Sequence, residues 1–151
     1  MANSQAIATS FKVEILKGLH ALGTSVVRAG TGADTVNAAL FLTSGSLGAA
    51  TTSYSVTSEV SGSGYSAGGV AVTNATAPNS SGTTAFWTPS ATISFGTVTL
   101  ATAFNCVQLY NATQSNRTIM VLTFGDQTVT AGAFSITMPT NDATTGLLRV
   151  A

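Results

Sequence analysis

The sequence contains very little charge. Asp, Glu, Lys and Arg together make up 7% of the 151 residues, whereas about 25% is typical of globular domains. The net charge is zero, and the five Lys and Arg residues are scattered along the chain. No basic stripe can form from them, so binding to nucleic acid is not expected. Ser, Thr, Asn and Gly replace the missing charge while hydrophobic residues stay at 44%, so the chain is expected to fold.

Reactive side chains are also scarce. Cys106 is the single cysteine and is expected to be a small buried side chain. Together with the single histidine, His20, it is too little for a transition-metal cluster. We therefore expect no catalytic residue, no metal and no cofactor, and an enzyme would require Asp126 or Glu59 to lie against His20.

Targeting segments and membrane spans are not indicated either. The N-terminal residues do not have the pattern of a secretory signal. No apolar run reaches the roughly 18 residues of a membrane span. The chain is therefore expected to be made or assembled in a cytoplasm, without a membrane partner.

One segment has helical periodicity. Residues 10–22, SFKVEILKGLHAL, carry an apolar stripe at spacings of four, four and three, formed by Phe11, Ile15, Leu19 and Leu22. Ser10 is the expected N-cap and Gly23 the expected residue after the helix. The residues before the helix are small and polar, and are expected to be mobile unless a partner orders them. We predict an N-terminal arm and helix over residues 1–22 whose apolar stripe docks on a partner.

After residue 32 the pattern becomes that of β-strands. Thr-rich alternating runs bounded by Gly, Pro, Asn and Ser are typical of half-buried antiparallel strands. These runs are residues 35–43, 53–60, 69–73, 83–88, 90–101, 104–111, 117–124, 132–139 and 146–151. They predict an all-β fold, an antiparallel β-sandwich of jelly-roll-like type over residues 33–151, although an immunoglobulin-like sandwich has the same pattern.

A glycine-rich stretch, SEVSGSGYSAGGVAVT, occupies residues 58–73. It lacks the lysine of a phosphate-binding loop, and it lacks the helix that follows a dinucleotide-binding turn. Its glycines are therefore predicted to form turns between strands. Tyr65, between the glycines, is expected to pack over the loop or touch a neighbour. Trp87, in TTAFWTPS, is either a core residue or, like Tyr65 and the helix stripe, a candidate interface residue.

The order of these segments resembles that of small virion structural proteins of tailed bacteriophages. The similarity covers nearly the whole chain and is carried by the blocks ADTVNAAL, EVSGSGYSAGG and NRTIMVLTFG. The resemblance implies a capsid decoration or cement protein that binds and stabilises the shell of the major capsid protein. It also implies a homotrimer, a place on the capsid surface of the virion after assembly in the host cytoplasm, and no catalytic residues.

Two alternatives remain open at this point. The chain is a component of the tail, the baseplate or the head–tail connector, since such proteins have similar sequences. Alternatively, it is a carbohydrate-binding β-sandwich on the virion that stacks sugars on Trp87, Tyr65 or Tyr110.

Overall fold

The computed structural model describes residues 2–16, 19–22, 33–73, 76–90 and 92–150. Within them, one short helix and eight strands are formed. In chain order they are β1 (Ala6–Ile7), α1 (Thr9–Leu16), β2 (Val36–Leu42), β3 (Val70–Ala71), β4 (Asn79–Ser81), β5 (Thr84–Trp87), β6 (Thr92–Asn111), β7 (Arg117–Thr137) and β8 (Leu148–Val150). The all-β prediction with one short N-terminal helix is confirmed.

The strands form two antiparallel sheets. The larger sheet has the order β1-β7-β6-β2-β3, and the smaller has the order β4-β5-β8. β6 and β7 make one long hairpin, which begins at the pair Thr92–Thr137 and closes at Asn111–Arg117. The sequence pattern predicts two separate strands in place of each. It predicts 90–101 and 104–111 in place of β6, and 117–124 and 132–139 in place of β7. In the structure each pair of predicted strands forms one continuous strand, because the irregular residues are accommodated as β-bulges.

A bulge keeps the apolar residues of β6 on one face. Ile93 and Phe95 alternate inward, and strict alternation would then turn Val98 outward. An extra β6 residue is inserted between Ser94 and Thr97, and Gly96 takes a φ of 69° there. The following apolar residue, Val98, is consequently buried like the two before it.

β2 is buried on both faces and separates two hydrophobic clusters. Ala38 and Leu40 belong to the main core, which also contains residues of the arm and of the smaller sheet. Ala39 and Phe41 point to the other side, into a small cluster with Cys106. A central strand with both faces covered has a continuous apolar sequence rather than an alternating one, as this strand does.

The N-terminal arm is part of the same fold. Ala6 and Ile7 pair with β7, so the expectation that a partner must order these residues is wrong. The helix begins at Thr9, which places Ser10 inside it rather than at its cap. It ends at Leu16 instead of Leu22, and the N–H of Leu19 bonds to the carbonyl of Glu14 at 3.0 Å. Gly23 lies outside the described residues.

The strand predicted over residues 53–60 is wrong. The segment forms turns with two isolated bridges, Ser53 to Arg117 and Phe41 to Glu59. It covers the second face of the larger sheet, where Tyr54 packs on the small cluster. Tertiary packing of the aromatic side chain therefore outweighs the local strand pattern.

Candidate functional site

The apolar stripe of the arm packs mainly on the chain itself. Phe11 and Leu22 are 0% and 8% exposed and belong to the main core, so the expectation that the stripe docks on a partner is wrong for Phe11. Their burial follows from β1, which holds the arm against β7 and turns the stripe toward the sheet. Leu19 is half-buried, and Ile15 remains 38% exposed.

A cleft with mostly apolar walls is lined by Ile15, Leu22 and Trp87, and we call it the apolar cleft. It lies between the arm and the smaller sheet and has a volume of about 210 Å³. Its other lining residues are His20, Pro78, Ala85, Phe86, Leu148 and Val150. The pairing of β5 with β8 places Trp87 opposite Leu148 and so builds the wall that faces the arm.

Exposed apolar side chains concentrate at this cleft. Large hydrophobic side chains are exposed at three positions of the described chain, and two of them, Ile15 at 38% and Val150 at 56%, are in the cleft. The third, Val56 at 64%, lies on another part of the surface. Trp87 Nε1 donates to the carbonyl of Thr76 at 3.2 Å, so its polar atom is occupied. The cleft therefore offers contact to an apolar side chain.

A polar network beside the cleft joins the arm to the end of the β6–β7 hairpin. His20 Nε2 lies 2.8 Å from Glu14 Oε2, and Arg117 donates to the other oxygen of Glu14. On the far side of the imidazole, Asn111 Nδ2 lies 2.9 Å from His20 Nδ1. The same amide donates to Asp34 Oδ2 at 2.7 Å. The network therefore adds polar contacts to the strand pairing and core packing that hold the arm.

The network defines the state of His20. Because the Asn111 amide donates to both of its neighbours, His20 Nδ1 is an acceptor and the hydrogen resides on Nε2. Both ring nitrogens are thus occupied by protein atoms, from Glu14 and Asn111, rather than by Asp126 or Glu59. Burial raises the pKa of Glu14, but hydrogen bonds from His20 and Arg117 outweigh burial and leave that pKa below its usual value.

All three tyrosines of the chain gather around Glu59. Tyr54 and Tyr65 donate their hydroxyls to the two oxygens of Glu59, at 2.6 and 2.7 Å. The N–H of Gly68 adds a third bond to the carboxylate at 2.8 Å. Tyr110 stacks on Tyr54 with ring centroids 4.6 Å apart and donates to the carbonyl of Gly68 at 2.8 Å. We call this group the Glu59 cluster.

The Glu59 cluster keeps its tyrosines protonated. Burial is the main cause that raises the pKa of each tyrosine, and the negative charge of Glu59 raises it further. Tyr65 also accepts a bond from the N–H of Leu40 at 2.9 Å, which ties the cluster to β2. Of the three aromatic residues expected to stack sugars, Trp87 and Tyr110 are 2% and 3% exposed and Tyr65 is half-buried. They therefore present no open aromatic platform.

The glycine-rich loop is held flat against the larger sheet. Gly69 has a φ of 70°, and a Cβ there would overlap the carbonyl oxygen of Ala38 in β2. Gly64 has a φ of 80°, and a Cβ there would likewise overlap the carbonyl oxygen of Thr97 in β6. The N–H of Gly68 is engaged by Glu59. The glycines therefore serve close packing and turns with positive φ, and the sequence-based turn interpretation is confirmed.

The cysteine side chain is also internal. Cys106 is fully buried, as expected, and burial raises the pKa of its thiol to about 12.

Across the described ranges, no group of three or more His, Cys, Asp or Glu side chains could hold a metal ion. No helix in the same ranges is long and apolar enough to cross a bilayer.

Comparisons with known proteins give no match. No family model fits the chain, and no curated protein and no solved structure is significantly similar to it.

Proposed function

We propose that the chain is a non-enzymatic structural protein of a tailed-phage particle. In this proposal it is a capsid decoration or cement protein that binds and stabilises the shell of the major capsid protein, and it associates with itself as a homotrimer. It is assembled in the host cytoplasm and resides on the capsid surface. The support is the resemblance to virion proteins together with the apolar cleft, which is the single observation that carries the proposal.

The apolar cleft suits attachment by shape and apolar contact. A partner side chain that fills it would cover Ile15 and Val150, the two exposed hydrophobic residues of the cleft. Full burial of such a side chain contributes about 1.5–3 kcal/mol. Apolar contact of this kind is not screened by ions, whereas attachment by exposed ion pairs weakens as ionic strength rises. A particle that passes between solutions of different salinity would benefit from this mode.

The state of the polar side chains supports a structural role. His20 and Glu14 hold the arm, and Glu59 holds the glycine-rich loop. Each of these groups is bonded to atoms of the chain itself. Their hydrogen-bonding capacity is thus used by the fold, which agrees with a protein that works by fitting its partner.

Sedimentation with capsids tests the proposal. Capsids stripped of the protein would be incubated with wild type, with Val150→Asp and with Ile15→Asp, and the bound fraction measured after pelleting. A carboxylate in the cleft should reduce affinity by about tenfold or more, since loss of roughly 1.4 kcal/mol corresponds to a factor of ten. Val56→Asp is the matched control, because Val56 is exposed outside the cleft. Equal binding by all four proteins would contradict docking through the cleft.

Copy number separates the capsid from the tail, baseplate or connector. A decoration protein follows the symmetry of the shell and is present in hundreds of copies, whereas a single ring of copies indicates the tail or neck. Quantitative mass spectrometry of purified particles measures this number against the major capsid protein. A copy number that corresponds to a single ring would contradict the capsid assignment and support the tail, baseplate or connector alternative.

A further inference from the structure

A second cleft lies on the other hydrophobic cluster of the protein. It has a volume of about 200 Å³, and Phe41 and Leu47 form its apolar part. Six of its nine lining residues carry a hydroxyl group, and none is charged. These six are Ser46, Thr51, Ser53, Ser55, Thr57 and Ser58. We call it the hydroxyl cleft, and it shares no lining residue with the apolar cleft.

The remaining lining residue, Gln108, has an unsatisfied amide. Gln108 is 0% exposed, and its Nε2 donates to Thr118 Oγ1 at 2.7 Å. Its Oε1 is buried and has no hydrogen-bond partner among the described residues. If the amide is turned over, Thr118 donates to the oxygen and the NH₂ group is left without a partner instead. In either orientation one polar end of this buried amide lacks a bond, which is costly for a buried group.

A ligand hydroxyl would satisfy this amide in both orientations, because a hydroxyl is both a donor and an acceptor. The surrounding serine and threonine side chains have the same dual capacity, as the 3.1 Å contact between Ser55 Oγ and Thr57 Oγ1 illustrates. The absence of charge from the lining gives no advantage to an anion or a cation. The cleft is therefore suited to a neutral molecule with several hydroxyl groups.

The size of the cleft limits the ligand. Its volume is about that of seven water molecules in liquid water, at roughly 30 Å³ each. One sugar ring fits such a space, and the apolar part of the cleft offers a surface to the C–H face of the ring. We propose that the hydroxyl cleft binds a single neutral sugar residue through the buried amide of Gln108. This site is separate from the aromatic residues expected to stack sugars and does not depend on attachment to a capsid.

Titration by NMR tests the proposal directly on the whole chain. Glucose, galactose, mannose and N-acetylglucosamine would each be added to ¹⁵N-labelled protein. At least one sugar should produce saturable shifts at the amides of residues 46–58, with a dissociation constant on the order of millimolar. A short oligosaccharide that ends in the same sugar distinguishes a free monosaccharide from the terminal residue of a glycan. Tighter binding of the oligosaccharide indicates the glycan.

Matched variants connect the shifts to the amide. Gln108→Met keeps the size of the side chain and should weaken binding by about tenfold, because one hydrogen bond is lost. Gln127→Met makes the same change at an exposed residue of β7 and should leave binding unchanged. If Gln108→Met does not fold, the double variant Ser55→Ala/Thr57→Ala removes two exposed hydroxyls of the cleft and should also weaken binding.

Two results would overturn the proposal. The first is no saturable shift for any sugar at roughly 100 mM, a hundred times a millimolar dissociation constant. The cleft would then hold water only. The second is binding that persists unchanged in Gln108→Met or in the double variant, since the contact would then lie elsewhere.

Discussion

Replacement of Glu59 should weaken the fold far more than replacement of the exposed carboxylate Asp126. The two oxygens of Glu59 accept bonds from Tyr54, Tyr65 and the N–H of Gly68. Glu59→Ala removes all three bonds at once. The glycine-rich loop then loses the side chain that fastens it to the sheet.

The magnitude follows from these contacts. A hydrogen bond to a charged group contributes about 1.5–3 kcal/mol, but bonds that share one acceptor are not additive. Both tyrosines are half-buried, so water replaces part of what they lose. We expect Glu59→Ala to lower the free energy of unfolding by about 3 kcal/mol, a large part of the roughly 5–15 kcal/mol of a typical domain. Glu59→Gln keeps an acceptor and should cost about 1 kcal/mol.

Urea unfolding followed by the near-ultraviolet circular dichroism of the tyrosines measures the effect. With a slope of about 1–3 kcal/mol per molar urea, the loss of about 3 kcal/mol should lower the midpoint of Glu59→Ala by roughly 1–3 M. Asp126→Ala is the control, because this exposed carboxylate accepts a single bond among the described residues, from Asn105 at 3.1 Å. It should change stability by about 0.5 kcal/mol at most. If the two variants unfold at the same urea concentration, the Glu59 cluster does not stabilise the fold.

Three further predictions concern pH and backbone geometry. The pKa of each of the three tyrosines is higher in the folded protein than in the unfolded chain, where it is near 10. Their contribution to the stability of the fold is therefore present below pH 10 and is lost as the pH rises above it. Tyrosinate absorbance should therefore appear only together with unfolding, and a separate earlier titration would contradict this. The pKa of Glu14 is lower in the folded protein than the value of 4.5 in the unfolded chain. Its contribution to the stability of the fold is therefore present above pH 4.5 and is lost as the pH falls below it. Glu14→Gln should flatten the decline of stability between about pH 5 and 3, and an unchanged slope would refute the role of Glu14. Gly69→Ala should cost at least about 3 kcal/mol in thermal unfolding, because a Cβ overlaps β2, while Gly82→Ala, in open space with a similar φ, should cost about 1 kcal/mol. Equal costs would show that the loop does not pack as described.

The sequence indicates the longer strands of the larger sheet because their hydrophobic patterns are strong. The uninterrupted apolar run of β2 and the alternation in β6 are visible directly, including the break at Gly96 that becomes a bulge. The segment 53–60 alternates as well but forms turns, because Tyr54 and Glu59 find partners in other segments of the chain. Local patterns carry no information about such tertiary contacts, and they cannot indicate the two-residue strand β1 either.

The candidate site is only partly visible in the sequence. The helix stripe and the aromatic residue of TTAFWTPS indicate Ile15, Leu22 and Trp87, which the structure brings together in the apolar cleft. The opposite wall depends on the pairing of β5 with β8, which no local pattern reveals. The structural role of Glu59 is not evident from the sequence. Its signal is weak: a lone acidic residue in a charge-poor region, with a tyrosine five residues before it and another six residues after it.

A density map of the intact phage particle tests the central claim most directly. We expect this chain on the outer surface of the shell, with Ile15 and Val150 turned toward the major capsid protein and covered by it. Absence of the chain from the particle, or an apolar cleft that faces solvent there, would contradict the account.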